Sequence, residues 1–380
     1  MVPEHDEAEL VSTPNAIVSE DVPLAPLTTM RVGGPAARLV TVESTFDLVD
    51  AIREVDDAEE PLLVVGGGSN LVISDDGFPG TVVHVRTGGV RIESADRCGG
   101  VTLRVDAGVT WDDIVARSIE EGWAGIEALS GIPGSTGATP IQNVGAYGQE
   151  VAQTIAQVRV WDRVDEQIRT FTNLDCGFTY RHSVFKGTLH HGMSRYVVLE
   201  VVFQLQIADL SRPIGYADLA RELDVEVGGR VPLAEARAAV LAQRRLRGMV
   251  LDEDDRDTWS CGSFFTNPIL SVAEFEELES RVHSALGVEA QPPRFADPHG
   301  NVKTSAAWLI ERAGFGRGFA VAAAANPPAS LSTKHTLAVT NRGTATAADV
   351  LALAKEVRDG VEESFGVRLV NEPVLIGLRL

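Results

Sequence analysis

Residues 61–74 read PLLVV-GGGSN-LVIS, so Gly66, Gly67, Gly68, Ser69 and Asn70 separate two apolar runs. The apolar runs predict buried strands. Glycines let a backbone approach a ligand closely, and successive amide N–H groups can form a nest that binds an anion. A tight turn between strands would explain the same letters equally well. Because no helix follows the glycines, the run is not the GxGxxG pattern of dinucleotide-binding folds.

The segments on either side of this turn predict a unit of mixed α and β structure. Residues 38–42 predict a strand, and Ser44 caps a helix with Asp47 three residues later. Residues 81–85 (TVVHV) predict a further strand after the glycine turn. We expect this first unit to end near residue 85.

The next segment joins a strand and a helix to a long irregular loop. Residues 100–108 alternate as a strand does, and Thr110 opens a helix with capping-box character that runs to about Glu121. Residues 122–150 are rich in glycine and show neither helical nor strand period. A loop of this length inside a compact domain is usually functional or disordered, and its apolar content argues against disorder.

Polar side chains are interleaved with glycines between residues 130 and 148 of this loop. Hydroxyl and amide groups at such spacing suit a cofactor with phosphates and a polar heterocycle. A structural Ω-loop is the alternative interpretation.

Strands are expected again at residues 158–162 (VRVWD), 167–171 (QIRTF) and 196–206 (YVVLEVVFQLQ), and from Pro232 the chain becomes mainly helical. Residues 232–247, 271–286 and 347–364 predict helices, the last capped by Thr346, and residues 370–380 predict a final strand. We expect domain breaks near residues 85 and 247.

The composition excludes several classes of protein. The chain has 380 residues, of which 33 are Lys or Arg and 54 are Asp or Glu, giving a net charge of −21. A chain this acidic is repelled by a phosphate backbone, so no nucleic-acid partner is expected. No apolar run is long enough to cross a bilayer, so no membrane association is expected.

The cysteines and the N-terminus indicate an intracellular protein. Cys98, Cys176 and Cys261 form no CxxC pair, which argues against a disulfide framework and a metal site and suits the reducing cytoplasm. The N-terminus is acidic and lacks the apolar core of a signal peptide. We expect residues 1–20 to form a disordered acidic tail.

Three further runs carry reactive groups, and each also has an ordinary structural explanation. Arg181 in FTYR (178–181) would ordinarily be a surface or packing residue. Ser263 in CGSFFTNP (261–268) would ordinarily be a turn hydroxyl, because no nucleophile elbow surrounds it. Glu372 lies inside the predicted last strand, where a carboxylate needs a cationic partner.

Taken together and in this order, the runs resemble the UDP-N-acetylenolpyruvoylglucosamine reductase family. The matching stretches span nearly the whole chain beyond the tail: TTMRVGG (28–34), VVGGGSNLVISD (64–75), GIEALSGIPGSTGATPIQNVGAYGQE (125–150), FTYRHSVFK (178–186), GYADL (215–219), GSFFTNP (262–268), AAWLIERAGFGRG (306–318) and NEPVLIG (371–377).

The resemblance implies an α+β flavoenzyme of three domains with a vanillyl-alcohol-oxidase-like FAD-binding fold. Residues 21–85, joined by the C-terminal strand 370–380, would form the first FAD-binding subdomain. Residues 86–246 would form the second, and residues 247–369 the substrate-binding domain. The stretch GYADL indicates the subtype that folds a tyrosine-bearing loop over its substrate.

The family reaction reduces the enolpyruvyl ether of a UDP-sugar to a lactyl ether in peptidoglycan precursor synthesis. It uses non-covalently bound FAD, with NADPH as the hydride source. By resemblance, Arg181 stabilises the charge that develops on the substrate carboxylate, Glu372 is its partner, and Ser263 protonates C2. A cytoplasmic monomer is expected.

The resemblance also implies two sets of binding residues. The cofactor residues would be Gly66, Gly67, Gly68, Ser69, Asn70, Ser130, Gly131, Gly134, Ser135, Thr139, Gln142, Asn143, Gly145 and Ala146. The substrate residues would be Tyr147, Tyr216, Arg247, Asn267 and His335. Where the family often has lysine, just before GMV (248–250), this chain has Arg247. An arginine there keeps the charge but changes the hydrogen-bond geometry.

Two alternatives remain open on the sequence. One is an oxidase of the same flavin superfamily, although such enzymes tend to carry a histidine just after the glycine turn, where this chain has Ser69 and Asn70. The other is a non-catalytic nucleotide-binding protein, which would have no use for Arg181, Ser263 and Glu372 together.

Overall fold

The computed structural model describes residues 16–321 and 326–380 of the chain and has the predicted α+β architecture. Strands dominate to about residue 207, and helices dominate after it. The strands are β1 (Ile17–Pro23), β2 (Pro35–Val42), β3 (Leu62–Val65), β4 (Leu71–Ile73), β5 (Phe78–Val85), β6 (Val90–Asp96), β7 (Gly100–Asp106), β8 (Trp123–Ala124), β9 (Gly145–Ala146), β10 (Gln149–Glu150), β11 (Ile155–Asp162), β12 (Gln167–Thr172), β13 (Leu189–His190), β14 (Met193–Ser194), β15 (Tyr196–Ile207), β16 (Ile269–Leu270), β17 (Phe295–Ala296), β18 (Val302–Lys303), β19 (Ala329–Leu331), β20 (Val339–Asn341) and β21 (Val374–Ile376).

The α-helices are α1 (Thr45–Asp57), α2 (Trp111–Glu120), α3 (Val184–Gly187), α4 (Ala217–Glu222), α5 (Leu233–Leu246), α6 (Val272–Leu286), α7 (Ala306–Arg312) and α8 (Ala347–Phe365). Short 3₁₀ turns span Ala25–Leu27, Glu127–Leu129, Thr136–Ala138, Val151–Gln153 and Arg256–Thr258. Within the described residues, none of the helices has both the length and the apolar character needed to cross a membrane.

A four-stranded sheet carries the glycine turn. Its strand order is β1-β2-β5-β3, in which β2, β5 and β3 run parallel and β1 pairs antiparallel with β2. Helix α1 connects β2 to β3 and buries Leu48 and Ile52 against the sheet. The glycine turn follows β3, and β4 after it pairs in parallel with β21. The C-terminus of the chain therefore lies beside the glycine turn.

A second sheet is antiparallel, with the strand order β12-β11-β15-β7-β6. The twelve-residue strand β15 crosses its centre and is buried along most of its length. One apolar core joins this sheet to α1, α2 and the parallel sheet. The long loop after α2 packs on the same core through residues such as Ile126 and Leu129.

The C-terminal helices form a separate apolar core. Phe275 of α6, Leu309 of α7 and Val357 of α8 lie in it, and Met30 and Val72 from the N-terminal part reach into the same cluster. Asp75, just after β4, accepts hydrogen bonds from the first amides of α8 at 2.7 and 3.1 Å. These contacts join the helical part to the edge of the glycine turn.

The caps of two helices confirm their predicted starts. Ser44 accepts a hydrogen bond from the Asp47 amide at α1. Thr346 forms a reciprocal capping box with Asp349 at α8, and Gly366 ends that helix at a φ of 72°. The predicted capping at Thr110 is wrong, because within the described residues its side chain makes no hydrogen bond to the first turn of α2.

Several element predictions are corrected by the structure. Residues 17–20, which the tail prediction included, belong to β1, because their backbone pairs with β2; residues 1–15 lie outside the described residues. The final strand is only Val374–Ile376, so Glu372 precedes it. The sequence does not predict β6, α7 or the short helix α4 that follows Tyr216, and the structure has all three.

Candidate active site

The most prominent cavity lies where the glycine turn faces the long loop. It is an open cleft with the glycine turn on one side and Gly134 and Ser135 of the long loop on the other. Its apolar end is formed by residues such as Val64, Val85 and Val198. Of the predicted cofactor residues, nine line the cleft: Gly66, Gly67, Gly68, Ser69, Asn70, Gly134, Ser135, Thr139 and Gln142.

Glycine is required where the two loops touch. A Cβ on Gly66 would lie 2.1 Å from Ser135 Oγ, and one on Gly67 would lie 2.6 Å from Gly134 Cα. Gly68 has a φ of 58°, and a Cβ there would lie 1.9 Å from the Leu27 carbonyl oxygen. Gly66 and Gly67 therefore allow the turn to pack directly against the long loop, which creates the wall of the cleft, and Gly68 allows it to pack against the backbone at Leu27.

The donor set of these loops fits a cofactor that carries phosphates. Among the described residues, the amides of Gly66 to Asn70 and of Gly134 and Ser135 donate to no backbone or side-chain acceptor. Successive free N–H groups beside a cleft can form a nest for an anion, and those of the buried residues Gly68 and Ser135 would otherwise lack the partner that buried N–H groups normally have. The pyrophosphate of a dinucleotide such as FAD would satisfy them.

Replacement of Gly67 by alanine is expected to weaken FAD binding at least about tenfold, or about 1.4 kcal/mol. The new methyl group would collide with Gly134 and push the two loops apart. Equilibrium titration of flavin-free protein measures the effect. Gly88→Ala is the matched control, since a Cβ there meets nothing within 4 Å. Equal FAD affinity in the two variants would contradict the role assigned to the loop contact.

The remaining predicted cofactor residues lie outside the lining of the cleft: Ser130, Gly131, Asn143, Gly145 and Ala146. Two of them support the loop. The Ser130 hydroxyl donates to the backbone carbonyl of Glu127 at 2.7 Å, and the side-chain Nδ2 of Asn143 donates to Glu150 Oε2 at 2.8 Å. Direct contact of these five residues with a cofactor stays a prediction.

A cluster of charged groups lies at one end of the cleft. Arg181 Nε is 2.8 Å from Glu372 Oε1, and Nη2 donates to the Gly145 carbonyl at 3.1 Å. The Nε–H is poorly aligned for a hydrogen bond to the carboxylate and has no other partner among the described residues. Gln142 Nε2 contacts the same carboxylate at 3.4 Å, and Asn70 bonds Gln142 at 2.8 Å. Polar contacts thus run from the glycine turn to Arg181.

Burial governs the titration of this cluster. It raises the pKa of the Glu372 carboxyl, although Arg181 and Lys186 oppose the shift. Burial also lowers the pKa of the Lys186 ammonium, although the carboxylate of Glu372 opposes the change. The arrangement favours a carboxyl group that can hold a proton more readily than an exposed glutamate.

The turn that carries Ser263 lies directly against Glu372. The amide of Glu372 donates to the Phe264 carbonyl at 2.8 Å, and the Phe264 amide donates to the Leu337 carbonyl at 2.7 Å. Gly262 has a φ of 72°, which a residue with a side chain rarely adopts. This backbone bond brings Ser263 close to Glu372, although 109 positions separate the two residues in the sequence.

Four of the predicted substrate residues also form a group. The rings of Tyr147 and Tyr216 meet edge to face, with centroids 5.7 Å apart. Arg247 Nη1 donates to Tyr147 Oη at 3.3 Å, and Nη2 lies 3.4 Å from Asp218 of α4. Arg247 also acts electrostatically on His335, so that residue lies near the same guanidinium. The helix α4 thus places Tyr216 and Asp218 opposite Arg247.

Asn267 is held by the protein backbone and by one tyrosine. The backbone N–H of Asn267 donates to Tyr180 Oη at 3.3 Å, and the side-chain Oδ1 accepts from the backbone N–H of Ala306 at 3.0 Å. The side-chain nitrogen of Asn267 is left without a partner among the described residues. It is therefore available to donate to a ligand.

The sequence predicts no role for Lys186, which lines the cleft, or for Tyr180, whose hydroxyl accepts a hydrogen bond from the backbone of Asn267. Both lie in the stretch FTYRHSVFK (178–186), within five residues of Arg181. Their closeness in sequence to Arg181 is the feature that could have marked them as site residues. The short helix α3 is what returns Lys186 to the cleft.

The pH dependence of stability should report on His335. Burial lowers its pKa to about 4, with the Arg247 guanidinium contributing, so the folded protein holds the neutral ring. The unfolded chain takes up a proton near pH 6.5, so this contribution is fully present above that pH and is lost as the pH falls towards 4. The loss should be about 1–3 kcal/mol. His335→Gln should flatten the fall in Tm between pH 6.5 and 4, whereas the exposed control His299→Gln should keep it. An unchanged pH profile in His335→Gln would contradict this assignment.

Comparison with known proteins places these features in a family context. Residues 254–376 match the C-terminal domain of UDP-N-acetylenolpyruvoylglucosamine reductase, and residues 36–172 match an FAD binding domain. Both descriptions agree with the fold and cofactor predicted from the sequence. The FAD binding domain match covers the glycine turn and the whole of the long loop that faces it.

Full-length relatives agree with these matches. UDP-N-acetylenolpyruvoylglucosamine reductase from Thermobifida fusca is 56% identical over 362 residues, covering 95% of this chain and 99% of that protein. The enzyme of the same name from Streptomyces coelicolor is 56% identical over 361 residues, covering 95% and 90%. The crystal structure of UDP-N-acetylenolpyruvylglucosamine reductase from Thermus caldophilus superimposes with a TM-score of 0.61 at 25% identity, covering 95% of this chain and 99% of that one.

Proposed function

We propose that this chain, which belongs to the UDP-N-acetylenolpyruvoylglucosamine reductase family, reduces the enolpyruvyl ether of UDP-N-acetylenolpyruvoylglucosamine in peptidoglycan precursor synthesis. One observation carries the proposal. Arg181, Glu372 and the turn bearing Ser263 meet at the end of a cleft whose other groups fit FAD. The product would be UDP-N-acetylmuramate, with NADPH as the source of hydride.

Bound FAD supplies the redox chemistry, because it can accept hydride from NADPH and deliver it to C3 of the enolpyruvyl group. The residues that would hold it are those of the two loops. Their free amides would bind the pyrophosphate, and Val64, Val85 and Val198 would contact the apolar part of the cofactor. Packing against these groups would exclude water from the site.

Arg181 would bind the carboxylate of the enolpyruvyl group. Its buried Nε–H lacks an aligned acceptor, and a planar guanidinium matches a carboxylate with two parallel hydrogen bonds. Hydride addition at C3 leaves charge at C2, which the carboxylate delocalises. A fixed cation in a site of low polarity stabilises such charge more strongly than water does.

Glu372 would hold Arg181 in position, and in its protonated form it would avoid repelling the negative charge that develops on the substrate. Burial raises the pKa of the carboxyl group, which favours the protonated form needed beside a substrate that is becoming negative. A permanently ionised glutamate would repel that charge. The contact from Gln142 would keep the carboxyl oriented.

Ser263 would donate the proton to C2. A serine hydroxyl is a weak acid, so it can serve only beside a strongly basic centre, and the developing carbanion-like C2 is one. The backbone bond between Phe264 and Glu372 keeps the serine near the charged cluster. Ser263, Arg181 and Glu372 would then act on adjacent atoms of one substrate.

The UDP-sugar would lie along the group formed by Tyr147, Tyr216, Arg247 and His335, and Asn267 would also contact it. The Tyr216 ring stands on the ring of Tyr147 and is 50% exposed, so it can move against a ligand. Arg247 carries the positive charge that would face the diphosphate, and Asn267 has a free amide donor. At the position where the family often has lysine, Arg247 would offer a planar guanidinium that can make two hydrogen bonds to one phosphate.

The test is NADPH consumption by purified protein that depends on UDP-N-acetylenolpyruvoylglucosamine. We expect oxidation of one NADPH per sugar nucleotide reduced, and a parallel assay with NADH determines the coenzyme preference. Protein that holds FAD but fails to turn over this substrate would overturn the proposal. The same preparation tested with oxygen alone separates a reductase from an oxidase.

The FAD would be bound non-covalently. The described residues that line the cleft include neither histidine nor cysteine, which are the usual sites of covalent flavin attachment. Denaturation should therefore release free FAD into the supernatant. Flavin that stays with the precipitated chain would favour the oxidase alternative.

We also propose the domain division 21–85 with 370–380, 86–246 and 247–369, with β1 extending the first unit to residue 17. The parallel pairing of β21 with β4 supports the link to the C-terminus, and the separate core around α6–α8 supports the third unit. We further propose a cytoplasmic monomer; the three free cysteines, of which Cys176 and Cys261 are buried, suit the reducing cytoplasm. Sedimentation of the purified protein tests the monomer.

A further inference from the structure

Lys186 lines the cleft and lies near the pair formed by Arg181 and Glu372. Helix α3, which begins after Ser183, directs its side chain inward, and Nζ donates to the Arg181 carbonyl at 3.3 Å. This is its one hydrogen bond among the described residues. An ammonium group has three donors, so two N–H groups of Lys186 remain for a ligand in the cleft.

The charges around the cleft leave Lys186 without an ion-pair partner. Arg163 is the other charged residue of the lining, and it is neutralised by Asp56, with Nε 3.0 Å from Oδ2. Arg181 is paired with Glu372 at 2.8 Å. No carboxylate of the described residues lies within ion-pair distance of Lys186, although Glu372 attracts it from farther away. Among the described residues that line the cleft, Lys186 is therefore the charged group without an ion-pair partner.

We propose that Lys186 tunes the cofactor by stabilising the negative charge that reduction places in the cleft. The inference rests on the proposed function, since it requires FAD to occupy this cleft. A hydride from the reduced nicotinamide brings two electrons and one proton to a neutral oxidised flavin, which gains one negative charge. The oxidised nicotinamide leaves with one positive charge more than it had. An unpaired ammonium in a partly buried site stabilises the reduced flavin over the oxidised one.

A purely structural role for Lys186 would give different results. Its hydrogen bond to the Arg181 carbonyl could fasten the backbone at a residue whose φ is 56°. In that case its loss would change stability and substrate turnover but would leave the flavin equilibrium unaltered. The reduction potential of bound FAD separates the two roles, because it does not depend on substrate.

The experiment is an equilibrium reductive titration of the FAD-bound protein against a reference dye. Lys186→Met keeps the length of the side chain and removes the charge, and Lys186→Gln is a second neutral variant. In each neutral variant, we expect the affinity for reduced FAD to fall about tenfold more than the affinity for oxidised FAD. This change lowers the two-electron reduction potential of the bound flavin by about 30 mV. Lys186→Arg should stay near the wild-type potential. Lys355→Met, an exposed lysine of α8, is the control for net charge and should not change the potential.

Each other outcome overturns the inference. A wild-type potential in both neutral variants would show that the charge does not act on the flavin. Loss of oxidised FAD from both variants would assign Lys186 to cofactor binding instead. Wild-type protein that holds no FAD would defeat the proposed function itself, which is a separate result from either of these.

Discussion

Replacement of Ser263 by alanine is expected to lower kcat by about 10²–10⁴-fold, the usual contribution of a positioned proton donor. The variant lacks only the hydroxyl that would protonate C2. Arg181 and Glu372 remain paired, and the two glycine-rich loops are unaltered. NADPH should therefore still bleach the flavin absorbance at the wild-type rate.

Rapid-mixing absorbance measurements separate the two half-reactions. In Ser263→Ala, the first phase with NADPH should be normal, and reoxidation by the enolpyruvyl substrate should be slow. Ser263→Cys retains a donor at the same position and should recover part of the rate. Ser94→Ala removes an exposed hydroxyl on β6 and is the control. Normal turnover by Ser263→Ala would show that another group protonates C2.

Replacement of Arg181 by methionine is expected to lower kcat/KM by about 10²–10³-fold, as loss of one preorganised charge donor does in other enzymes. The guanidinium is the cation closest to Glu372, at 2.8 Å, and its free Nε–H would be lost with it. The remaining carboxyl group would be buried with less compensation, so its pKa should rise further. Both effects weaken stabilisation of the charge at the substrate carboxylate.

Steady-state kinetics with varied sugar nucleotide test this expectation. Most of the loss should appear in kcat, because the charge that Arg181 meets develops during the reaction. Arg181→Lys keeps the charge but not the planar fork, so it should recover only part of the rate. Arg281→Met, which breaks an exposed pair with Glu277 on α6, serves as the control because such surface pairs contribute little. An Arg181→Met enzyme with wild-type kcat/KM would remove Arg181 from the mechanism.

Much of the local structure followed from the sequence. Apolar runs identified β3, β4 and β5, and the Ser44 and Thr346 caps located the starts of α1 and α8 correctly. These features depend on residues within a few positions of one another. The glycine turn was also identified as a close approach of backbone, although the sequence alone left an ordinary turn equally acceptable.

The active-site cluster was less accessible to prediction. The apolar neighbours of Glu372 predict a strand at that position, yet Glu372 precedes β21 and its amide donates to the Phe264 carbonyl. Lys186 received no role, because its position in the cleft depends on the path of the chain through α3. Arg181 takes a left-handed φ of 56°, which no residue type at that position signals.

The sequence by itself determined the residue types that the chemistry needs and the short-range elements that carry them. Only the tertiary structure decided that Gly66 and Gly67 touch Ser135 and Gly134, and that Arg181 pairs with Glu372 across 191 positions of the chain. The physical reason is range. Helix caps and strand periodicity depend on residues that are close in sequence. The cleft, and the position of the Lys186 ammonium in its lining, depend on packing between segments that are distant in sequence.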